Sequence, residues 1–255
     1  MELKGKVCIV TGGASGIGHA VANLFVRQGA AVVVADVNRD GALAAAQKLG
    51  ASALGVGCDV SSAADVAGMV AQALAAFGRV DVLVNNAGFG MTGNVVTTPE
   101  EQWDRLMAVN VKGMFLCAKH VVPVMKAQGG GSIINTTSYT VTSAIADRTA
   151  YVASKGAITA LTKAMAMDHA RDGIRVNAVA PGTVDSPYIE RILSVAPDPA
   201  SRRAEFNARA VMNRMGQPDE IAEAFLFLAS DRSRFATGSI VTVDGGSSIG
   251  NHLVA

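Results

Sequence analysis

The 255-residue chain is half hydrophobic and 17% charged, and its formal net charge is +1. That balance provides for a large buried core and gives no electrostatic basis for binding nucleic acid or an anionic membrane surface. Three widely spaced cysteines, Cys8, Cys58 and Cys117, form neither a disulfide framework nor a zinc-ligand pattern, so a reducing compartment and no metal site are expected.

The chain opens on Met1-Glu2-Leu3-Lys4-Gly5-Lys6 without the charged, apolar and cleavage regions of a signal peptide. No apolar run reaches the length of a membrane span, so a soluble cytoplasmic protein is expected. Val7 to Val10 is a short apolar run, as in a parallel strand buried on both faces. It leads into Thr11-Gly12-Gly13-Ala14-Ser15-Gly16-Ile17-Gly18, and a helical pattern follows through Ala20, Val21, Leu24 and Phe25 to Gly29. Strand, glycine turn and helix form the context in which such a motif points to a dinucleotide. Glycine lets the backbone turn tightly and approach a pyrophosphate, whose charge the helix N-terminus favours.

Ala31 to Ala35 reads as a second buried strand, ending at Asp36. A carboxylate there suits the two hydroxyls of an adenosine ribose and repels a 2′-phosphate, which argues for NAD over NADP. A turn-forming Asp is the plainer reading, and Arg39 lies close by. Residues 40–49 form an amphipathic pattern with Leu43 and Leu49 facing inward. Leu54 to Cys58 is a third strand, followed by Asp59-Val60-Ser61. Asp59 suits the adenine amino group, or equally a cap of the next helix through Ser61. That helix spans about 62–77, and Val80 to Val84 is a fourth strand ending in Asn85-Asn86-Ala87-Gly88. Asn side chains there suit stitching of neighbouring strands, and Ala87-Gly88 leaves room for a flat ligand. Four strand–helix units with ligand-suited residues at their carboxyl ends describe an α/β, doubly wound sheet.

A long helical stretch through Val109, Phe115, Leu116, Val121 and Met125 ends at Gly129-Gly130-Gly131. Within it, Asn110 reads from position alone as a helix-surface amide or a polar site residue. The strand from Ser132 to Thr137 ends at Ser138, and a helix running to about Arg171 carries Tyr151 and Lys155, with Leu161, Met165 and Met167 as core or interface residues. Tyr151 and Lys155 are four residues apart and so share a helix face. A phenol titrates near ~10, so work as a base at neutral pH requires roughly 4 kcal/mol of extra stabilisation of the phenolate; a nearby ammonium and a bound cofactor are suitable sources. Ile174 to Ala180 is a sixth strand ending in Pro181-Gly182-Thr183, with open backbone for a nicotinamide amide. Residues 184–217, rich in proline and arginine, break the alternation and read as a substrate lid with one or two short helices. A helix of about 218–229, a last strand Ser239 to Val243, Asp244-Gly245-Gly246 and an apolar tail suited to burial in an oligomer complete one domain over 1–255.

In order, Thr11-Gly12-x-x-x-Gly16-x-Gly18, Asn85-Asn86-Ala87-Gly88, Asn110, Ser138, Tyr151-x-x-x-Lys155, Pro181-Gly182 and Asp244-Gly245-Gly246 resemble the short-chain dehydrogenase/reductase family over essentially the whole chain. The resemblance implies a Rossmann-type, seven-stranded parallel sheet with helices on both faces, a nicotinamide cofactor and a homotetramer. It implies that NAD contacts Gly12, Ser15, Gly16, Ile17, Gly18, Asp36, Asp59, Val60, Asn86, Ala87, Gly88, Tyr151, Lys155, Pro181, Gly182 and Thr183. It gives Asn110 a catalytic role, holding a water beside Lys155. Ser138 would hold the substrate oxygen, Tyr151 would be general base or acid, and Lys155 would grip the nicotinamide ribose and lower the Tyr151 pKa. Relatives that prefer NADPH commonly carry a basic residue in the glycine turn, where this chain has Ala14 and Ser15.

Arg148, Arg191 and Arg209 are placed like the carboxylate-binding arginines of similar 3-hydroxybutyrate and keto-deoxy-sugar-acid dehydrogenases, Arg191 with a one-residue shift. The expected substrate is a small hydroxy acid or sugar acid bound by Ser138, Arg148, Tyr151, Arg191 and Arg209, with oxidation of its alcohol. The plainer reading has these arginines pairing with Glu190 or Glu205 at the surface. The alternatives are a dehydrogenase of neutral polyols, sugars or cyclic alcohols, a 3-oxoacyl-carrier-protein reductase, and a non-catalytic NAD-binding sensor.

Overall fold

In the computed structural model, which describes residues 1–250, the apolar runs become β1 (Val7–Thr11), β2 (Ala31–Asp36), β3 (Ala53–Gly57), β4 (Val82–Asn85), β5 (Gly131–Thr136), β6 (Ile174–Pro181) and β7 (Ile240–Val243). They form a seven-stranded parallel sheet in the order β3-β2-β1-β4-β5-β6-β7. The helices are α1 (Gly16–Arg27), α2 (Arg39–Leu49), α3 (Ala63–Phe77), α4 (Glu100–Met107), α5 (Gly113–Ala127), α6 (Thr149–His169), α7 (Pro187–Ser194), α8 (Pro199–Asn207) and α9 (Pro218–Ala229). The apolar tail expected to be buried in an oligomer lies outside the described residues from Asn251 on.

Strand alternation sorts the core into two layers. Cys8 and Val10 of β1 face α1, α2 and α9, through Val21, Phe25, Ala42, Ala46 and Phe225. Ile9 faces the other side, where Val66, Met69, Leu116, Val121 and Met125 of α3 and α5 meet it, with Met165 of α6. Strand order reverses beside β1 and β4, so their carboxyl ends open a crevice, the usual ligand position in such sheets. All three cysteines are buried and free, and burial pushes each thiol upward, Cys58 to about 12.

Leu43 departs from its expected inward position, and Phe115 and Met167, the latter read as a core or interface residue, are exposed in the single chain. Leu43 is 46% exposed, Phe115 47% and Met167 83%. Leu43 turns outward because α2 packs its Ala42, Ala45 and Ala46 inward, onto a strand made thin by Gly55. A Cβ on Gly55 would fall 2.6 Å from the Ala42 carbonyl oxygen, a closeness that leaves no space for leucine. The cap of α3 is Ser62, whose hydroxyl accepts from the Asp65 amide, and not Ser61.

The centre of the sheet is tied to α6 by buried polar groups. Asn85 on β4 donates to Asn135 on β5 (2.9 Å), Asn135 donates to Thr162 on α6 (2.9 Å), and Thr162 donates to the Ile158 carbonyl (2.8 Å). Asn135 and Thr162 are fully buried. Asn135→Leu keeps an apolar body of similar size but leaves the Asn85 amide without its acceptor and takes from Thr162 its donor, Thr162 keeping only its bond to Ile158. At ~1–3 kcal/mol for each unsatisfied buried group, the loss should be on the order of 2–4 kcal/mol. Urea unfolding checks it: the midpoint should fall with the m-value unchanged.

Candidate active site

The carboxyl ends of β1, β4, β5 and β6 line one cleft of about 1090 Å³. Ser138 follows β5 and starts a tight turn, Tyr139–Val141. Tyr151 and Lys155 are on the first two turns of α6. Three contacts hold strand end to helix: Lys155 Nζ donates to the Thr136 carbonyl (2.8 Å), Thr137 Oγ1 donates to the Lys155 carbonyl (3.0 Å), and the Thr137 and Thr159 hydroxyls lie 2.8 Å apart. Ser138 lies beside the Tyr151 phenol, and its hydroxyl favours the phenolate. Tyr188 on α7 reaches the Gly90 carbonyl at 3.4 Å, close to the Tyr151 ring.

Burial is the dominant electrostatic effect on this pair. It pushes Tyr151 up from its ordinary value; the Ser138 hydroxyl and the Arg148 charge oppose it, while Tyr188 and Tyr139 reinforce it. It pushes Lys155 down, to about 8. The expected depression of Tyr151 relies on Lys155 together with a bound cofactor; in the chain by itself desolvation penalises the charged form of both partners.

Of the residues expected at the site, Gly12, Ser15, Gly16, Ile17, Asp36, Asp59, Val60, Asn86, Ala87, Gly88, Ser138, Arg148, Tyr151, Lys155, Pro181, Gly182, Thr183, Arg191 and Arg209 line the cleft. Gly18 and Asn110 do not. Gly18 lies behind the glycine turn, where a Cβ would fall 2.1 Å from the Gly12 carbonyl oxygen. Asn110 is fully buried in a five-residue π-helical turn (Ala108–Lys112) between α4 and α5. Its Oδ1 accepts from the Phe89 amide (3.0 Å), and its Nδ2 donates to the Phe89 carbonyl (3.0 Å) and to Ser154 Oγ (3.2 Å).

The cleft fits a dinucleotide. Gly12 and Gly16 have φ of +63° and +55°, and a Cβ at Gly12 would fall 2.9 Å from Ala87 Cα. The Ser15 side chain makes no cap hydrogen bond, so the first amides of α1 face the cleft without that partner. Asn86 donates to the Thr11 and Gly12 carbonyls (3.1 and 3.2 Å), bracing the turn. Asp36 accepts from the Ala14 and Asn38 amides (3.1 and 3.0 Å), one on each oxygen, leaving further lone pairs for ribose hydroxyls. Asp59 Oδ1 is occupied by Ser61, through the amide (2.9 Å) and the hydroxyl (2.7 Å).

At the other end, Arg209 stacks over Phe206 at 4.6 Å from the ring centroid, and burial pulls its guanidinium below its ordinary value, with Arg148 adding to the effect. Arg148, Arg191 and Arg209 have no carboxylate within salt-bridge distance among the described residues. The carboxylates expected to pair with them are taken: Glu205 by Arg202, Glu190 by Arg203, which also reaches Asp185 at 3.2 Å. Tyr139, Phe206 and Tyr188, which the sequence alone does not single out, also line the cleft. Tyr139 is 5% exposed and its hydroxyl has no partner among the described residues. Its position directly after Ser138 was the available signal. No cluster of metal-ligating side chains occurs among the described residues, and no helix there is long and apolar enough to cross a membrane.

The family model described as Enoyl-(Acyl carrier protein) reductase matches residues 12–248. An uncharacterized oxidoreductase, YxbG of Bacillus subtilis, is 41% identical over 251 residues, covering 96% of this chain and 92% of the relative. The cis-4-hydroxycyclohexanecarboxylate dehydrogenase of Sinomonas cyclohexanicum is 40% identical over 244 residues, covering 94% and 96%. The crystal structure of a 3-ketoacyl-(acyl-carrier-protein) reductase from Brucella melitensis complexed with NADH superposes with a TM-score of 0.89 at 36% identity, covering 96% of this chain and 99% of that one.

The opposed burial effects at Tyr151 and Lys155 make a pH test. Below its folded value of about 8, Lys155 is charged in both states, and the folded protein carries the full burial cost. Between 8 and the ordinary 10.5 the unfolded chain binds the extra proton, so stability rises with pH there. Lys155→Met removes this term. Its stability relative to the parent should therefore fall by about 2–3 kcal/mol between about pH 7.5 and pH 10.5. Urea unfolding of both proteins without cofactor measures this, and a difference that stays flat with pH would refute it.

Proposed function

Since the chain belongs to the short-chain dehydrogenase/reductase family and is an oxidoreductase acting on CH–OH groups, we propose that it oxidises the secondary alcohol of a small hydroxy acid or sugar acid, using NAD. The observation that carries the substrate class is the set of cationic donors at the cleft. Arg148 and Arg209 lie there without salt-bridge partners while the neighbouring Arg202, Arg203 and Arg214 are paired. A half-buried guanidinium without a counter-charge is costly to hold, and a substrate carboxylate would offset that cost with charge-assisted bonds. Arg191, more exposed on α7, would support the same group from the rim. The partnerless Tyr139 hydroxyl adds a neutral donor. The likeness to a dehydrogenase named for an alicyclic hydroxy acid agrees with this class.

In this mechanism the bound nicotinamide supplies the hydride acceptor. The protein supplies the proton path. Ser138 donates to the substrate oxygen, and Tyr151 takes the hydroxyl proton on its phenolate oxygen, or returns it in the reverse direction. Lys155, held at the Thr136 carbonyl, would bind the nicotinamide ribose and stabilise the phenolate. We assign Asn110 a positioning role, because its amide is committed to Phe89 and Ser154. Residues 184–217, with α7 and α8, would act as the lid. For the cofactor, Asp36 beside an uncharged Ala14-Ser15 turn favours NAD, since a 2′-phosphate there would meet a carboxylate.

Reduction of a 3-oxoacyl group is a second reading, favoured by the likeness to the Brucella melitensis reductase. NADH formation on hydroxy acids and sugar acids, each beside its neutral ester, lactone or polyol and with a 3-hydroxyacyl thioester in the same panel, separates the readings from one another and from a neutral-alcohol dehydrogenase. Acids should be preferred, and Arg209→Ala and Arg148→Ala should each raise KM for them about 10–100-fold, the worth of a charge-assisted bond, while sparing the neutral counterparts. Unchanged KM in both variants would remove the carboxylate from the proposal. Asp36→Ala should narrow the preference for NAD over NADP by about tenfold or more, measured as the ratio of kcat/KM; an unmoved ratio would end the cofactor argument.

A further inference from the structure

We propose that Thr140 is a positioning residue that makes Ser138 an obligate hydrogen-bond donor at the substrate oxygen. A serine hydroxyl has one proton and two acceptor lone pairs. At Ser138 both acceptor positions are filled by the same neighbour: the Thr140 amide donates to Oγ at 3.2 Å and the Thr140 hydroxyl donates to it at 3.0 Å. Both residues are buried, Ser138 at 5% exposed and Thr140 at 2%, so solvent does not compete for these contacts. The turn that brings them together is independently fixed. The Val141 amide donates to the Ser138 carbonyl at 3.2 Å, and the Thr142 and Ser143 amides donate to the Tyr139 carbonyl at 2.9 and 3.1 Å.

With both acceptor positions occupied, Ser138 can only give its proton. The proton it gives is available to the neighbouring Tyr151 oxygen, where it would favour the phenolate against the burial of the phenol. With substrate bound Ser138 donates to the reacting oxygen, so the alcohol proton has one destination: the O–H bond of the substrate breaks and an O–H bond forms on the Tyr151 phenolate. Without the Thr140 hydroxyl, Ser138 can rotate and accept, from the Tyr151 phenol or from the substrate alcohol. Either arrangement favours the neutral phenol and a misdirected proton. This rests on the proposed roles of Ser138 and Tyr151, and the experiment separates the two.

The assay is NADH formation against pH, on whichever member of the acid and neutral panel the parent oxidises fastest. Thr140→Val removes the hydroxyl and keeps the β-branched shape; Thr140→Ser restores the hydroxyl. The titratable groups facing Tyr151 (Tyr139, Tyr188, Arg148 and Lys155) are the same in all variants. Thr140→Val should lower kcat about fivefold with KM little changed, and should move the rising limb of the kcat/KM profile up by about 0.7 pH unit, the size of one neutral hydrogen bond. Thr140→Ser should recover both. A pH limb unmoved in Thr140→Val, or a loss that Thr140→Ser does not repair, would overturn the proposal. Ser138→Ala is the control for the underlying reading: if it retains the parent's kcat, the role of Ser138 itself falls, whatever Thr140 does. If it collapses while Thr140→Val matches the parent, only the Thr140 inference falls.

Discussion

The join between the end of β5 and the first half of α6 sets everything that happens in the cleft. One side of it carries Ser138 and the other carries Tyr151 and Lys155, and no covalent geometry relates them. Their spacing is held by short contacts across the join: Asn135 to Thr162, Thr137 to the Lys155 carbonyl and to Thr159, and Lys155 Nζ to the Thr136 carbonyl. All of them are buried or half-buried, where a lost partner is costly, so the register of the helix on the strand is strongly specified. Asn85 extends the chain of contacts to β4, whose following loop braces the glycine turn after β1 through Asn86. The dinucleotide end of the cleft and the hydroxyl-bearing end are thus parts of one hydrogen-bonded unit.

That rigidity has an electrostatic consequence. The burial that holds Lys155 against a backbone carbonyl also disfavours its charge, and the same burial disfavours the phenolate of Tyr151. The chain alone therefore favours a neutral phenol beside an ammonium whose charge is held less firmly than in water. In the proposed mechanism, ribose hydroxyls entering the cleft would give the ammonium partners and hold its charge beside the phenol. The base would then be formed by occupancy, and the protein's part is to hold the two groups where occupancy can act on both.

The segment 184–217 shows a second sorting of charge. Arg203 on α8 bridges to Asp185 before α7 and to Glu190 within it, and Arg214 is held by Glu220 of α9. These pairs, around the small apolar cluster of Ile189, Leu193, Phe206 and Met215, account for how the excursion folds back on itself. Arg209 is adjacent to the same cluster through Phe206 but takes no part in the pairing. A guanidinium stacked on a ring is pre-organised, losing less entropy on meeting a planar anion than a free lysine would.

How much of this was legible beforehand follows from which contacts are local. The strands were readable because burial on both faces demands continuous apolar runs, as at Val32, Val33 and Val34, and the order of glycine turn, serine and Tyr–Lys pair announced the cleft. Features set by approach distance were not readable. Leu43 looks like a core residue by helical period, and it is solvent-facing because Gly55 lets the α2 backbone come too close for it. Asn110 looks like a helix-surface amide until one knows that the helix widens into a π turn there and sends the amide inward to Phe89 and Ser154. Thr140 is the sharpest case. Nothing in Ser-Tyr-Thr-Val says which hydroxyl gives and which accepts; that direction appears only once the turn places the Thr140 amide and hydroxyl on the same oxygen. Sequence period identifies which side chains are present at a strand end, whereas the turn's dihedral angles decide which of their protons remain available for chemistry.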